Sequence, residues 1–256
     1  MIPTIWLASY PKSGNTWLRM LIANLSSTAS PADINALASG ETDDKEPAIG
    51  VRFVKVHDAY RRPPHAVLAD RGANGAIIMV RDPRDVAASL AAHKSSSVDE
   101  AIALMGGPET SSTSTHQELR QKLPHWSSHV ASWLEQKDMP VHRIRYEDLL
   151  LDPVTSFRRA LRFAGCAAGD DAIRRAVAYS TFEQLQKQER THGFREAQPR
   201  AGLFFRRGVA GSWRGELTAA QIARIEADHG AMMQRLGYKL SVRATPQSLS
   251  SADPTS

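Results

Sequence analysis

The chain has 256 residues, of which 42% are hydrophobic and 23% charged, a balance typical of one globular α/β domain. The formal net charge of +5 favours anionic ligands only weakly, and the absence of any run of five basic residues argues against a nucleic-acid-binding protein. No apolar stretch of the sequence reaches membrane-spanning length, and the N-terminus lacks a signal-peptide pattern, so we expect no membrane partner.

The first predicted element is an apolar strand that begins near Ile5 and is bounded by Pro11. A short loop holds Lys12, Ser13 and Gly14, and the helix that follows has apolar residues at helical spacing (Trp17, Leu18, Leu21, Ile22 and Leu25). A helix N-terminus offers free amides and the positive end of the dipole, so this strand–loop–helix unit predicts an anion site. A surface turn with an incidental lysine is the alternative interpretation.

This loop differs from the Walker A sequence, in which a glycine and four further residues precede Gly-Lys-Ser/Thr. Here Lys12 stands before the only glycine of the loop, and Pro11 stands before the lysine. The loop is therefore predicted to be a P-loop-like anion-binding loop of a type other than Walker A.

Two further strands are predicted before the middle of the chain. Residues 26–50 indicate a loop with at most a short helix, and residues 51–56 alternate and form the second strand, with Lys55 and His57 at its carboxyl end. Pro63 and Pro64 begin a short helical segment, and two glycines end it. Residues 76–80 are apolar throughout, as in a parallel strand buried on both faces.

A second strand–turn–helix unit is predicted to begin at Arg81. Asp82 is a good N-cap and Pro83 a good first helical residue, and Ser89 lies two turns along the helix. Residues 95–123 are rich in serine and threonine, and we interpret them as a mobile insertion that either covers a substrate as a lid or has no role.

The remaining elements alternate in the same way. An amphipathic helix near Trp126 precedes a strand over residues 141–146, and a helix capped by Asp152 follows. Further predictions are a helix at 170–178, a turn or two at 182–186, a loop over 188–205, and a last helix opened by a capping box at residues 218–221. We predict one domain over residues 1–240 and a disordered tail over 241–256.

The alternation of strands and helices predicts a central parallel sheet flanked by helices. Ligands of such sheets bind beyond the carboxyl ends of the strands, which brings Lys12, Lys55, His57 and Arg81 into one candidate site. The single cysteine, Cys166, cannot form an internal disulfide, which favours a reducing compartment, and we expect a cytoplasmic protein.

The residue types at this edge suit transfer of an anionic group. His57 has an ordinary pKa near neutrality and could act as a general base, whereas a capping or surface histidine is the simpler interpretation. Lys12 and Lys55 could stabilise the group in transfer. Arg81 with Ser89 could hold a second phosphate; a structural ion pair of Arg81 with Asp82, and an ordinary small helix residue at Ser89, are the alternatives.

A second basic cluster lies near the C-terminus. Arg206 and Arg207 stand directly before Gly208 and could hold a phosphate through side chains and backbone together. A solvated basic turn is the alternative interpretation.

Four separated segments, in order, resemble the cytosolic-type sulfotransferase family. They are the loop at residues 10–17 (Tyr-Pro-Lys-Ser-Gly-Asn-Thr-Trp), the Lys-Val-His segment at 55–57, the segment at 80–89 that begins Val-Arg-Asp-Pro, and the Arg-Arg-Gly-Val-Ala-Gly-Ser-Trp segment at 206–213. Short stretches at 146–148 and 180–182 are also similar. The resemblance covers roughly residues 4–238 and implies transfer of a sulfo group from 3′-phosphoadenosine-5′-phosphosulfate (PAPS) to a hydroxyl or amine, with PAP as product and no metal.

The resemblance also implies roles for individual residues. His57 would be the general base, Lys12 would stabilise the leaving PAP, and Lys55 would assist at the sulfo group. The cofactor-binding residues would be Lys12, Ser13, Gly14, Asn15, Thr16, Trp17, Arg81, Ser89, Tyr146, Ser180, Phe182, Arg206, Arg207 and Gly208, and Ser89 is also counted with the catalytic group.

The sequence departs from the family pattern in three places. Ser212 stands where the family often has aspartate, and Arg207 stands where it often has lysine. The family's dimerisation motif would fall on residues 214–223, where only Thr218 matches, so a homodimer is a weak expectation. The Ser-Gly-Asn-Thr loop is similar to bacterial members that sulfate natural products, and a natural-product acceptor with a hydroxyl is the corresponding expectation.

Two other functions remain open from the residues. A small-molecule kinase would use ATP and Mg²⁺ and would need an acidic metal ligand at a strand end, for which Asp82 is the near candidate. A non-catalytic nucleotide-binding module would not need His57.

Overall fold

The structure is a computed structural model that describes residues 2–36, 49–61, 72–107, 110–111, 122–123, 125–198 and 202–241. Its central sheet has four strands, β1 (Thr4–Ser9), β2 (Arg52–Val56), β3 (Gly75–Val80) and β6 (Val141–Arg145), in the order β2-β1-β3-β6. Neighbouring strands of this sheet all run parallel. Two short strands, β4 (Thr110–Ser111) and β5 (Lys122–Leu123), pair antiparallel elsewhere. The predicted parallel α/β sheet is confirmed.

Nine α-helices are found in the described part of the chain. They are α1 (Asn15–Ala23), α2 (Pro83–Lys94), α3 (Val98–Gly106), α4 (Trp126–Glu135), α5 (Tyr146–Leu151), α6 (Pro153–Phe163), α7 (Asp170–Tyr179), α8 (Phe182–His192) and α9 (Ala219–Arg235). The predicted caps are present, since Asp82 accepts from the amide of Arg84, and Thr218 forms a capping box with Gln221. Within the described ranges, the helices all fall short of the length and apolar content that crossing a membrane requires.

The sheet is covered on both faces, which accounts for the continuous apolar sequence of β1 and β3. Trp6 and Ala8 of β1 belong to a core with α2, α4 and α9, whereas Ile5 and Leu7 belong to a second core with α1, α6 and α7. Every residue of β1 and β3 is buried. Successive side chains of a strand point to opposite faces, so each strand supplies both cores.

The interpretation of residues 95–123 as an irregular insertion is wrong for its first part. Residues 98–106 form α3, which a capping box between Ser97 and Glu100 begins and which buries Ala101, Ile102 and Met105. These three apolar residues are few but lie on one face, and that face packs on α2 and α9. Residues 108–109 and 112–121 lie outside the described residues, and so the lid stays a prediction.

Two other boundaries differ from the predictions. α8 continues to His192, beyond the turn or two predicted at 182–186, because Glu189 is buried on its inner face and accepts from the amides of Phe204 and Phe205. β6 ends at Arg145, and Tyr146 begins the unpredicted helix α5. The predicted helical segment that starts at Pro63 and the tail at 242–256 lie outside the described residues, and the domain limits stay predictions.

Candidate active site

The loop between β1 and α1 presents unpaired donors toward one point. The first backbone hydrogen bond of α1 runs from the amide of Leu18 to the carbonyl of Gly14, at 3.2 Å. The amides of Asn15, Thr16 and Trp17 therefore have no carbonyl partner within the helix. The hydroxyl of Ser13 is buried and has no hydrogen-bond partner. Buried polar groups are normally paired, and the loop therefore fits an anionic ligand.

The conformation of this loop requires its glycine. Gly14 has a φ of 102°, and a Cβ there would lie 2.7 Å from Cδ2 of Tyr146 and 2.8 Å from Sδ of Met79. Lys12 also has a positive φ, 66°, which is uncommon for a residue with a side chain. The close approach of the loop to β3 and α5 thus sets the path of its backbone.

Asn15 is turned away from the anion site. Its Nδ2 donates to the carbonyl of Leu7 at 2.8 Å and to Oγ of Ser9 at 3.2 Å. The side chain therefore braces the carboxyl end of β1, and the backbone amide is the group of Asn15 that remains for a ligand. Thr16 donates its hydroxyl to Oε2 of Glu196 at 3.0 Å.

His57 is held at the end of β2 by the neighbouring strand. Its Nδ1 lies 2.8 Å from the carbonyl oxygen of Ser9. A carbonyl can only accept, so Nδ1 carries the proton and Nε2 keeps a free lone pair. Burial, and next the charge of Lys55, lower the pKa of His57 to about 3, although its bond to Ser9 opposes the shift. The imidazole is therefore neutral near pH 7, with its unprotonated nitrogen at Nε2.

Helix α4 fixes the main chain that carries this histidine. Nε2 of His129 lies 3.0 Å from the carbonyl oxygen of His57, and Nε1 of Trp133 donates to the carbonyl of Asp58 at 3.0 Å. His129 is fully buried and its ring packs edge-on against Tyr10. His129 was not predicted as a site residue from the sequence, since a histidine within an amphipathic helix gives no distinct signal.

The two candidate lysines differ in their surroundings. The ammonium of Lys12 lies 3.6 Å from the ring centroid of Phe204, a cation–π contact. Burial, and next the charge of Arg81, lower the pKa of Lys12 to about 7. Lys55 donates to Oε1 of Glu196 at 3.2 Å. Glu196 was also missed, because a glutamate in a polar loop has no sequence pattern that marks it.

Arg81 connects the first loop with the C-terminal segment. Its Nη1 donates to the carbonyl of Lys12 at 3.2 Å, and its Nη2 donates to the carbonyl of Val209 at 3.1 Å. The guanidinium lies 4.3 Å from the ring centroid of Tyr146, and its buried Nε has no hydrogen-bond partner. The pairing of Arg81 with Asp82, considered as an alternative, is not the contact made, since Asp82 pairs with Arg84 at 2.6 Å.

The second basic cluster reaches the same region. Ser89, Arg206 and Lys12 line one cavity of about 40 Å³. Arg206 and Arg207 also form ion pairs with Glu216, at 2.8 and 3.4 Å. The structure therefore brings residues from three of the four similar segments to one cavity.

Asp85 of α2 holds the C-terminal segment in place. Its carboxylate accepts from the amide of Gly211 at 2.6 Å, from the amide of Trp213 at 2.9 Å and from the hydroxyl of Ser212 at 3.2 Å. Asp85 is fully buried, and its partners satisfy both oxygens. The serine that stands where the family often has aspartate thus keeps a contact with α2.

Residues predicted for the adenine base contact one another. Nε1 of Trp17 donates to the carbonyl of Ser180 at 2.9 Å, and the rings of Trp17 and Tyr146 are 5.6 Å apart. The hydroxyl of Ser180 accepts from Asn24 at 3.0 Å. These contacts place the residues predicted for the adenine base beside the residues predicted for the phosphates.

Gly208 packs against the face of Phe182, where a Cβ would come within 2.1 Å of the ring, and its φ is 65°. We expect Gly208→Ala to lower the free energy of unfolding by about 1–3 kcal/mol and to weaken PAP binding, because the ring and the arginine turn must separate. Thermal unfolding and PAP titration measure both effects. Gly215→Ala is the control, since a Cβ there meets nothing within 4 Å. Equal behaviour of the two variants would show that the close packing of Gly208 on Phe182 contributes neither to stability nor to PAP binding.

Asp82, the candidate acidic metal ligand of a kinase, makes other contacts. Asp82 caps α2 by accepting from the amide of Arg84 at 3.0 Å and pairs with its guanidinium. Within the described ranges, no group of three or more His, Cys, Asp or Glu side chains is arranged to hold a metal ion. The kinase interpretation is not favoured.

Comparison with known sequences identifies related proteins. The family described as Sulfotransferase domain matches residues 3–237. Sulfotransferase 2B1 of Homo sapiens is 28% identical over 239 residues, which are 85% of this chain and 62% of the human protein. Cytosolic sulfotransferase 16 of Arabidopsis thaliana is 28% identical over 256 residues, covering 88% of this chain and 74% of that protein. The chain thus spans less than two thirds of the length of the human relative.

Solved structures show the same fold. The crystal structure of a mouse sulfotransferase complexed with PAP has a TM-score of 0.66 and 22% identity, and the match covers 91% of this chain and 85% of that one. Retinol dehydratase, in complex with androsterone and the inactive cofactor PAP, has a TM-score of 0.60 and 20% identity over 95% of this chain and 82% of that one. Since the family match runs from β1 to the end of α9 and includes all four similar segments, the chain belongs to the sulfotransferase domain family.

Proposed function

We propose that this protein transfers the sulfo group of PAPS to a hydroxyl of a small-molecule acceptor. The observation that carries the proposal is the neutral imidazole of His57, fixed by the carbonyl of Ser9 at 2.8 Å, at the same sheet edge as the Lys12 loop. An imidazole with a free Nε2 and a nearby cluster of cations suits proton removal combined with transfer of an anionic group.

The residues present fit a 5′-phosphosulfate and a 3′-phosphate. The amides at the start of α1 and the unpartnered hydroxyl of Ser13 suit the first, and Arg81, Ser89 and the turn at 206–208 suit the second. Trp17, Tyr146, Ser180 and Phe182 are proposed to hold the adenine side. Bound there, PAPS would supply the sulfo group, and PAP would leave after the transfer.

The chain's own residues then perform three tasks. His57 accepts the proton of the acceptor hydroxyl at Nε2, which makes that oxygen the nucleophile for an in-line attack. Lys12 would donate to the phosphate oxygen that carries the sulfo group, where negative charge develops as the new S–O bond to the acceptor forms and the S–O bond to PAP breaks. Lys55 stabilises charge on the sulfo oxygens. Lysines and backbone donors supply the positive field in this scheme.

The acceptor is proposed only as a class. Retinol dehydratase, whose structure has the same fold, was solved in complex with androsterone, a molecule with a hydroxyl on an apolar ring system. The rings of Phe204 and His93 pack edge to face, 5.8 Å apart, and line the cavity shared by Lys12, Ser89 and Arg206, which belongs to the proposed 3′-phosphate site. The proposed class of a small molecule with a hydroxyl therefore rests on the family and on this neighbouring structure. Sulfation of natural products, a homodimer and a cytoplasmic location stay predictions.

A thermal-shift experiment separates the candidate functions. The protein is incubated with PAP, PAPS or ATP, with and without Mg²⁺, and we expect stabilisation by PAP and PAPS that does not depend on Mg²⁺. Mass spectrometry of mixtures with PAPS and panels of phenols, sterols and natural products then detects the gain of a sulfo group. Stabilisation by ATP with Mg²⁺ and none by PAP would reject the sulfotransferase proposal in favour of the kinase.

A further inference from the structure

The carboxylate of Glu196 joins two elements of the candidate site. Its Oε1 accepts from Nη1 of Arg19 at 2.6 Å and from Nζ of Lys55 at 3.2 Å, and its Oε2 accepts from the hydroxyl of Thr16 at 3.0 Å. Arg19 and Thr16 belong to α1, Lys55 belongs to β2, and Glu196 lies in the segment after α8. One side chain from a polar loop thus contacts both the anion loop's helix and the strand that carries His57.

These ion pairs are largely shielded from solvent. The side chains of Arg19, Glu196 and Lys55 are 8%, 18% and 22% exposed. Burial alone would raise the pKa of Glu196, but the charges of Lys55 and Arg19 and their hydrogen bonds outweigh it and lower that pKa to about 2. Glu196 is therefore ionised at every working pH, and its attraction for the two cations is screened less than that of a surface pair.

We propose that Glu196 is a positioning residue for sulfo transfer, one that holds the ammonium of Lys55 at a fixed point beside the reacting centre. The inference rests on the proposed function, in which Lys55 acts at the sulfo group. A lysine ammonium is a point charge on a flexible four-carbon stem, so a second group must fix where it lies. The two oxygens of Glu196 accept hydrogen bonds from Thr16 and Arg19 of α1, and these contacts fix the position of the carboxylate.

The charge of Glu196 also acts on Lys12. Burial and Arg81 lower the pKa of Lys12, and Glu196 opposes that fall. Removing the carboxylate therefore lowers the pKa of Lys12 further and leaves a smaller protonated fraction near pH 7. The other charged or titratable groups that act on Lys12 or share its cavity are Lys55, Glu189, His93 and Arg206.

The first test is Glu196→Gln, which keeps the length of the side chain and removes its charge. We expect kcat with PAPS to fall by between about tenfold and a hundredfold, because Lys55 loses its fixed position. The alkaline limb of kcat/KM for PAPS should move to lower pH. PAP affinity should fall by less than kcat does, since Glu196 contacts none of the residues predicted for the 3′-phosphate and its effect on PAP is limited to Lys12 and Thr16. The acceptor is 2-naphthol or androsterone, whichever the wild-type protein sulfates.

Glu183→Gln is the matched control, because Glu183 is exposed on α8. A double-mutant cycle with Lys55→Met tests whether the effect of Glu196 on kcat depends on Lys55. If Glu196 acts through Lys55, adding Glu196→Gln to Lys55→Met should lower kcat by less than about threefold. An equal loss in both backgrounds, or a Glu196→Gln variant that matches Glu183→Gln in kcat and pH profile, would overturn the inference.

A second variant keeps the inference testable if the first variant does not fold. If Glu196→Gln has no cooperative thermal transition, Glu196→Asp is used, which keeps the charge and shortens the reach by one methylene. It should lower kcat while keeping the alkaline limb where the wild type has it, and a wild-type kcat would overturn the inference. Wild-type transfer is measured in the same assay. A wild type without any sulfo transfer would reject the proposed function and the inference together, whereas an active wild type isolates the inference.

Discussion

Replacing His57 with asparagine is expected to lower kcat by about 10²–10⁴-fold while PAP affinity stays close to that of the wild type. Asparagine keeps a donor for the carbonyl of Ser9, which Nδ1 of the histidine contacts at 2.8 Å, but it has no basic nitrogen in place of Nε2. The substitution therefore removes the proposed base and leaves the anion loop and arginine cluster unchanged. Steady-state kinetics and calorimetric titration of PAP separate the two quantities.

The control for this variant is His192→Asn, at an exposed histidine of α8, and we expect wild-type turnover from it. Wild-type turnover in the His57 variant would show that another group accepts the proton. A protein that binds PAP equally well with and without His57, and never transfers a sulfo group, would instead be a non-catalytic nucleotide-binding module. Because the pKa of His57 is about 3, the base is already neutral at pH 5, and its titration should not produce an acid limb between pH 5 and 7.

Replacing Lys12 with methionine is expected to lower kcat by about 10²–10³-fold and also to weaken PAP binding. Methionine keeps much of the apolar stem of Lys12 and removes the ammonium that lies over Phe204 and that would stabilise the leaving oxygen. The dual effect distinguishes this residue from His57, whose loss should affect transfer alone. Kinetics with PAPS and titration with PAP measure the two effects, with Lys137→Met, at an exposed turn before β6, as the control.

The pH dependence of the wild type gives a separate measurement of Lys12. Its pKa is lowered to about 7 by burial and by Arg81, so the free enzyme loses this charge as the pH rises through neutrality. Since kcat/KM reports the free enzyme, kcat/KM for PAPS should decline above about pH 7. The Lys12→Met variant should lack that decline. A decline of the same size in both proteins, or normal rates in the variant, would remove Lys12 from the mechanism.

The parallel fold could be predicted because its signals are local. Apolar runs at β1 and β3, the Asp-Pro start of α2 and the capping box at Thr218 each depend on residues within one turn or strand. The predictions were wrong where apolar residues were sparse. α3 buries one narrow face, and α8 continues because the carboxylate of Glu189 serves the amides of Phe204 and Phe205. Such long-range pairing leaves no periodic pattern in the sequence.

The sequence by itself determined the order of the four segments that resemble the family and, through the rule for parallel strands, the edge predicted for the candidate site. It also determined which side chains could bear charge or accept a proton there. Only the tertiary structure decided the state of those groups. The carbonyl of Ser9 selects the tautomer of His57 from 48 residues away in the chain. Glu196 pairs with Lys55 across 141 residues, and Asn15 braces β1 with its side chain. Tautomer, pKa and ion pairing depend on distances of a few ångströms between such remote residues, and only folding sets those distances.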